Sequence, residues 1–254
     1  MAQDNVLDTG CPWLSVVVPM RNEAGNVGLV VNGILEACSD TRPFEIICVD
    51  DGSEDQTSDR VSEEAARNAC VRLLRHDRSA GQSAALDSGI RAARGGVICT
   101  LDGDGQNPPQ EIPKLLARLE DRAFPEGVGL IAGQRVGRKD SLSKRWASKA
   151  ANALRVRLLR DGTRDTGCGL KLIRRDVFLN LPYFDHMHRY LPALVARDGW
   201  ATLHQDVSHA PRHSGRSKYA NLGRAAVGVY DLIGVMWLIR RRKKARVLGE
   251  AEPV

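Results

Sequence analysis

Four short apolar runs punctuate the first 102 residues, and each breaks off in a polar, charged cluster. "WLSVVVPM" (13–20) leads into "RNEAGNV", "FEIICVD" (44–50) into "DGSEDQT", "VRLLRH" (71–76) into "DRSAGQSAA" and "GVICTLD" (96–102) into "GDGQNPP". "GVGLIAG" (127–133) is a fifth run of the same kind. Short β-branched stretches that are apolar on both faces read as strands buried on both sides of a sheet. Helical stretches fill the gaps at 24–39, 55–69, 81–94 and about 109–121. Strands alternating with helices across short connections specify an α/β fold with a mostly parallel central sheet flanked by helices. Ligands of open α/β sheets sit beyond the carboxyl ends of the strands. The polar clusters therefore converge on one edge, which marks that edge as the functional one.

A chain of 254 residues with 43% hydrophobic residues has enough apolar material for one sizeable core. The six cysteines (Cys11, Cys38, Cys48, Cys70, Cys99, Cys168) are far apart, contain no C-x-x-C pair, and several lie within apolar runs. They read as reduced core thiols of a protein kept in a reducing compartment. The N-terminus, "MAQDNVLDTGCPW", has no basic start followed by an apolar stretch, so a cleaved export signal is not expected. The net charge of +6 is unevenly placed: residues 212–246 hold ten Lys/Arg against Asp231 alone, and residues 134–160 hold nine against Asp140. Such asymmetry fits a polyanionic surface, either nucleic acid or lipid headgroups. With 5% aromatic residues and no nucleic-acid-binding motif, no nucleic-acid partner is expected.

The chemistry concentrates in "CTLDGDGQNPP" (99–109), where Asp102 and Asp104 stand one residue apart with Gly103 and Gly105 beside them. Crowded carboxylates need water or a cation to relieve their repulsion. A solvated turn is the plain alternative, but four loaded strand ends on one sheet edge argue against it.

The ordered set "SVVVPMRNEAGNV", "VDDGSEDQT", "GQSAALDSGI" and "LDGDGQNPP" resembles the family 2 glycosyltransferases of GT-A fold across roughly residues 13–135. The Q-x-P-P tail, "DTGCGLKLIRRDV" (165–177) and "APRHSGRSKY" (210–219) resemble the polyprenyl-phosphate branch, represented by dolichyl-phosphate mannose synthases and undecaprenyl-phosphate sugar transferases. Two departures are Gly103, where a bulkier residue often stands, and Gln82, in place of a small or basic one.

The resemblance implies an inverting transfer of sugar from a UDP- or GDP-sugar to a polyprenyl phosphate. The alternative within the family is a saccharide or other non-lipid acceptor in envelope polysaccharide synthesis, but no acceptor-side E-D motif is found near 185–200. The donor's diphosphate calls for Mg²⁺ or Mn²⁺, ions that take hard oxygen ligands; the resemblance assigns these to Asp102, Asp104 and Gln106. It assigns the donor nucleotide to Pro19, Arg21, Glu23, Asp50, Asp51, Asp77, Gly81, Asp102 and Gly103. Of the pair, Asp51 is the expected ligand, with Asp50 equally able to anchor the following helix. The acceptor phosphate falls to Arg135, Arg138, Asp165, Arg212, Arg216, Ser217 and Lys218, with Thr166 and Gly169 beside Asp165; Arg135 and Arg212 join the two aspartates as catalytic residues.

Residues 1–220 are then the transferase domain, and 221–254 a basic, apolar tail that associates with membrane. The apolar stretch 225–239 contains Asp231 and is short for a bilayer span. Interfacial, re-entrant and domain-packed placements all remain open for it. In 141–160, Leu142, Trp146, Ala150, Leu154 and Leu158 recur every four residues among basic side chains, a pattern for a helix lying on anionic lipid. The expected location is the cytoplasmic face of a membrane, peripheral or monotopic.

Overall fold

The structure is a computed structural model that describes residues 10–41, 43–136, 155–159, 161–210, 221–242 and 245. β1 (Leu14–Met20), β2 (Phe44–Asp50), β3 (Val71–Arg75) and β4 (Val97–Thr100) alternate with α1 (Val27–Ala37), α2 (Thr57–Arg67) and α3 (Gln82–Ala92). A 3-10 turn (Pro109–Glu111) and α4 (Ile112–Leu116) lead to β5 (Val128–Arg135). Then come β6 (Lys171–Arg174), α5 (Arg175–Leu179), a 3-10 turn (Met187–Arg189), α6 (Leu191–Arg197), β7 (Ala201–Val207) and α7 (Asn221–Arg240). The seven strands form one sheet in the order β3-β2-β1-β4-β6-β5-β7. All neighbours run parallel except at β6, which is antiparallel to both β4 and β5.

Strand alternation divides the core into two layers. Leu14, Val16, Val18 and Met20 of β1 enter one cluster and Val17 the other; Phe44, Ile46 and Cys48 of β2 oppose Ile47 and Val49 in the same way. Burial on both faces explains why these strands read as continuous apolar runs. The register shift between Val128 and Leu130 sits at Gly129, where a Cβ would come within 2.9 Å of Trp200. Cys38, Cys48, Cys99 and Cys168 are buried, and every described cysteine is a free thiol. Burial pushes the Cys48 thiol up to about 12.

The first helix begins at Val27 rather than 24, because Arg21–Asn26 serves as a clasp. Asn22, in the left-handed region at φ 54°, donates its N–H to Ser53 Oγ (2.9 Å) and accepts the Glu54 N–H on Oδ1 (2.8 Å). The Glu23 N–H reaches Thr57 Oγ1 at 2.9 Å. The fourth helix stops at Leu116 instead of about 121: Asp121 and Arg122 adopt positive φ, and Glu120 and Ala123 close a tight turn through paired backbone bonds of 2.8 Å.

Of the stretch 141–160, the described residues 155–159 are helical. Arg155 and Leu159 turn inward, and Leu158 is 38% exposed. Arg155 donates to Asp161 and to the Thr163 carbonyl, so this end of the stretch is fixed to the domain by a buried ion pair. α7 lies against α6, with Val235 fully buried and Leu232, Met236 and Ile239 packed on the second core cluster.

Candidate active site

Beyond the carboxyl end of β4 lies a cleft of about 290 Å³, bounded also by α3, the end of β5, β6 and residues 166–169 and 188–191. Asp102, just beyond β4, stands on its wall with Gln82, Arg135, Lys171, His188 and Arg189. Gln82 Nε2 donates to Asp102 Oδ1 at 2.7 Å, and Asn107 Nδ2 donates to Oδ2 at 2.8 Å, so the carboxylate is fixed from two sides. Burial raises its pKa and neighbouring Asp104 adds to the rise, which Lys171, Asn107 and Arg135 only partly offset. Asp104 Oδ1 accepts the Gln106 N–H at 3.0 Å, curling the loop back on itself.

Two glycines form the bed of this carboxylate. A Cβ on Gly169 would lie 2.3 Å from the carboxyl carbon and both oxygens of Asp102. A Cβ on Gly103 would meet Met20 Cγ at 2.7 Å and the Pro19 carbonyl at 2.8 Å. The missing side chain at the middle of D-x-D is therefore required by the close approach of this loop to β1.

β6 brings the cationic side. Lys171 is paired in register with Thr100 at the end of β4, is 3% exposed, and donates from Nζ to the Cys168 carbonyl. Burial pushes its pKa down, while Cys168, Asp102 and Asp165 act to raise it. Arg135 Nε and Nη2 form a fork on Asp165 at 2.6 and 2.9 Å. Asp165 thus holds the arginine, and Nη1 lies outside those two bonds. Burial opposes charge on Arg135, but the carboxylate outweighs it and the pKa is raised.

On the donor side, Asp51 is saturated. It accepts from His76 Nδ1 (2.8 Å), Ser79 Oγ (2.8 Å), Ala80 N (2.8 Å) and Gly81 N (2.9 Å), if His76 carries its proton on Nδ1. Burial pushes its pKa up, and these hydrogen bonds outweigh the burial and hold it below the usual carboxylate range. Asp50 turns to its own loop, accepting from Ser53 N (2.9 Å) and Ser58 Oγ. Both aspartates therefore build the walls of the edge. Gly52, at φ 65°, lets the two loops touch: a Cβ there would come within 2.5 Å of Ser79 N. Pro19 lies partly buried in β1, Arg21 is exposed beyond it, and Glu23 accepts from Asn26 Nδ2. Gly81, at φ 91°, opens α3. Asp77 points away, 85% exposed with Arg78 at 3.8 Å. Gln106 is partly buried, its carbonyl accepting the Ala210 N–H. Arg138, Arg212, Arg216, Ser217 and Lys218 lie outside the described residues.

Sequence reasoning had no role for Asn107, Lys171, His188 or Arg189, and noted Gln82 only as a departure. His188 Nδ1 meets Ser83 Oγ at 2.8 Å, and burial lowers its pKa to about 3, with Lys171 and Arg189 contributing.

A family model for glycosyl transferase family 2 matches residues 15–181. The chain belongs to glycosyl transferase family 2. It is 36% identical over 240 residues to a dodecaprenyl-phosphate galacturonate synthase of Rhizobium johnstonii, covering 91% of this chain and 68% of that one. It is 34% identical over 224 residues to an undecaprenyl-phosphate 4-deoxy-4-formamido-L-arabinose transferase of Pectobacterium carotovorum, covering 87% and 66%. The chain thus spans about two thirds of the length of these relatives. Among solved structures, a mannosyltransferase from Pyrobaculum calidifontis in complex with GDP-Man and Mn²⁺ superposes with a TM-score of 0.66 at 21% identity, covering 92% of this chain and 66% of that one. The mannosyl-3-phosphoglycerate synthase of Rubrobacter xylanophilus gives 0.67 at 18% identity, covering 95% and 79%. These neighbours establish the GT-A fold for this family 2 chain.

Proposed function

We propose that this family 2 transferase moves a sugar from a nucleoside-diphosphate donor to a polyprenyl phosphate. The observation that carries the reading is the cleft itself: the fixed, partly buried carboxylate of Asp102, next to Asp104, faces Lys171 and Arg135 across a space open to substrate. The named activities of the relatives supply the acceptor class.

Asp102 and Asp104 suit a divalent cation, since both are hard oxygen donors, and burial followed by repulsion from Asp104 raises the Asp102 pKa. Among the described residues no group of three or more His, Cys, Asp or Glu converges, which leaves further positions for the Gln106 amide, phosphate oxygens and water. Mg²⁺ or Mn²⁺ there would neutralise the donor diphosphate and assist its departure. Mn²⁺ accompanies the donor or its diphosphate in the structural neighbours.

The acceptor phosphate is ionised near neutral pH, so no strong general base is needed. One of its oxygens attacks the anomeric carbon as the bond from that carbon to the diphosphate oxygen breaks. The nucleoside diphosphate leaves with the electron pair, and configuration inverts. Gln82 and Asn107 keep Asp102 oriented, Asp165 holds Arg135 for a phosphate oxygen, and Lys171 supplies fixed positive charge against the charge that builds on the leaving group. Arg138, Arg212, Arg216, Ser217 and Lys218 remain the proposed acceptor cluster. Asp51, Glu23 and their loops line the nucleotide side.

Residues 221–254 are proposed as the membrane-associating tail, working on the cytoplasmic face. No helix of the described residues is long and apolar enough to cross a membrane. α7 nevertheless exposes Val229, Tyr230, Ile233 and Trp237 and ends in Arg240, Arg241 and Arg242, a composition suited to an anionic interface.

The test is to incubate the protein with undecaprenyl phosphate, Mg²⁺ or Mn²⁺ and a panel of UDP- and GDP-sugars, reading glycolipid by mass spectrometry. A lipid-phosphate sugar is expected from one donor; hydrolysis of a donor without glycolipid would sink the acceptor assignment. Asp104→Asn is expected to abolish metal-dependent turnover and weaken Mn²⁺ binding read by electron paramagnetic resonance, with an unchanged melting profile.

A further inference from the structure

We infer that Arg189 is the substrate-anion anchor of the cleft, holding an oxyanion that is either a carboxylate on the transferred sugar or the acceptor phosphate. This rests on the transferase reading above and adds a residue that reading does not use.

Three cations line the cleft, and two of them are already committed. Arg135 is forked onto Asp165, and Lys171 is buried on the Cys168 carbonyl. Arg189 is partly buried on the same cleft, yet its guanidinium has no hydrogen-bond or ion-pair partner among the described residues. A guanidinium sheltered from water and left unpaired is unfavourable, and its planar donor array matches a carboxylate or phosphate.

The wall that carries Arg189 is built to stay put. Its backbone N–H bonds the His186 carbonyl (3.0 Å). Ser83 Oγ meets Nδ1 of His188 (2.8 Å), Tyr190 donates its hydroxyl to the Gly228 carbonyl (3.2 Å), and His186 Nδ1 meets Asp231 Oδ2 (3.2 Å). Helices on both sides thus hold the short turn before and after the arginine. Among the described residues the acidic group on the same cleft is Asp102, already bonded by Gln82 and Asn107, so an anion at Arg189 comes from the substrates.

Position narrows the choice of anion. With the diphosphate at Asp102 and Asp104 and the nucleoside over the β1–β2 edge, the cleft beyond Asp102 is the space left for the sugar and the attacking phosphate. Either would meet Arg189 there. One relative transfers a sugar acid and another a neutral formamido sugar, so both sources are represented among proteins similar to this chain.

The experiment compares Arg189→Gln and Arg189→Lys with the unaltered protein, using UDP-galacturonic acid and UDP-galactose, which differ only at carbon 6, and undecaprenyl phosphate with Mn²⁺. Calorimetric binding of UDP with Mn²⁺ is measured alongside. If the anion is the sugar carboxylate, Arg189→Gln raises KM for the uronate donor roughly 10- to 100-fold and leaves UDP-galactose unchanged. If it is the acceptor phosphate, KM for undecaprenyl phosphate rises by a similar factor with either donor. Arg189→Lys is expected to recover part of the loss in both cases, and it is the variant read if Arg189→Gln melts early. Unchanged KM values in proteins that turn over, or a fall in kcat alone, overturn the inference and leave the transferase reading standing. Failure of the unaltered protein to bind UDP, and GDP measured in the same way, overturns both.

Discussion

At the scale of single residues, the site depends on where side chains are absent. Asp102 occupies the space a side chain at position 169 would need, since an added Cβ falls 2.3 Å from all three carboxyl atoms. Gly169→Ala therefore has to displace the carboxylate or open the β4–β6 pair. A misplacement of about 1 Å at a positioned catalytic group costs on the order of 100-fold in rate. Gly169→Ala is expected to lower kcat by about that factor, measured with any accepted donor, and to weaken Mn²⁺ binding in parallel. Full activity would mean that the Asp102 carboxylate does not need its present position. The two aspartates stood out in the sequence because carboxylates one residue apart after an apolar strand are costly to crowd, and because four polar strand ends share their edge of the sheet. Gly103 was legible as a departure at the middle of D-x-D and as a donor-side glycine; the approach of Pro19 and Met20 adds a reason internal to the fold. Lys171 was not legible as a site residue. Its place opposite Thr100 follows from antiparallel pairing of β6 with β4, a long-range register that no local pattern encodes.

At the scale of elements, the wall opposite Asp102 is a 3-10 turn pinned to α3. Ser83 Oγ accepts the His188 backbone N–H at 3.4 Å and pairs with Nδ1 of its ring at 2.8 Å, the direction of the second bond following the imidazole tautomer. Burial, with the charges of Lys171 and Arg189 beside it, keeps this ring neutral and lowers its pKa to about 3. In the unfolded chain the same ring titrates near 6.5. Because the folded value is the lower one, the unfolded state takes up more protons between them. The stability is fully present above about pH 6.5 and is lost progressively as pH falls toward 3. Between pH 7 and 5 this amounts to at most about 2 kcal/mol. Urea titrations at both pH values should show the unaltered protein losing up to that much more stability than His188→Gln. Equal losses would mean that the ring is already protonated, or freely protonated, in the folded state. Strands β1, β2, β4 and β5 were legible because double-sided burial makes their sequences largely apolar; β3, "VRLLR", is a partly buried edge strand that showed through its Val and Leu residues alone. β6 is only four residues long, and β7, "ATLHQDV", is an edge strand of mixed polarity, so neither has a comparable signal. The helix starts were misplaced where polar loop residues, Arg21–Asn26 above all, clasp a neighbouring loop instead of continuing a helix.

At the scale of the whole molecule, charge and apolar surface meet on α7. Its inner side, Leu232, Val235, Met236 and Ile239, follows helical spacing and packs on the domain, whereas Tyr230, Ile233 and Trp237 recur on the opposite face and stand 80%, 62% and 60% exposed. Residues 212–246 carry ten Lys/Arg and Asp231. Under the proposed membrane-associating role of this tail, a basic residue near an anionic leaflet would contribute about 1 kcal/mol and a large apolar side chain taken out of water about 1.5–3 kcal/mol, so the two effects would act together. The same helix accepts the Tyr190 hydroxyl on Gly228 and pairs Asp231 with His186, so a surface that seats α7 also seats the turn bearing Arg189. A polyprenyl phosphate would then be delivered at the level of the cleft. Ile233→Glu with Trp237→Glu, which leaves the packed face and the cleft untouched, is expected to lower sedimentation with vesicles containing phosphatidylglycerol by more than tenfold. Melting temperature and UDP binding should stay unchanged, and turnover of lipid presented in vesicles should fall far more than turnover of lipid presented in detergent. If the altered protein sediments as well as the original, the outer face of α7 is not the membrane contact, and attraction of the basic residues alone accounts for the binding; high salt should then release both proteins equally.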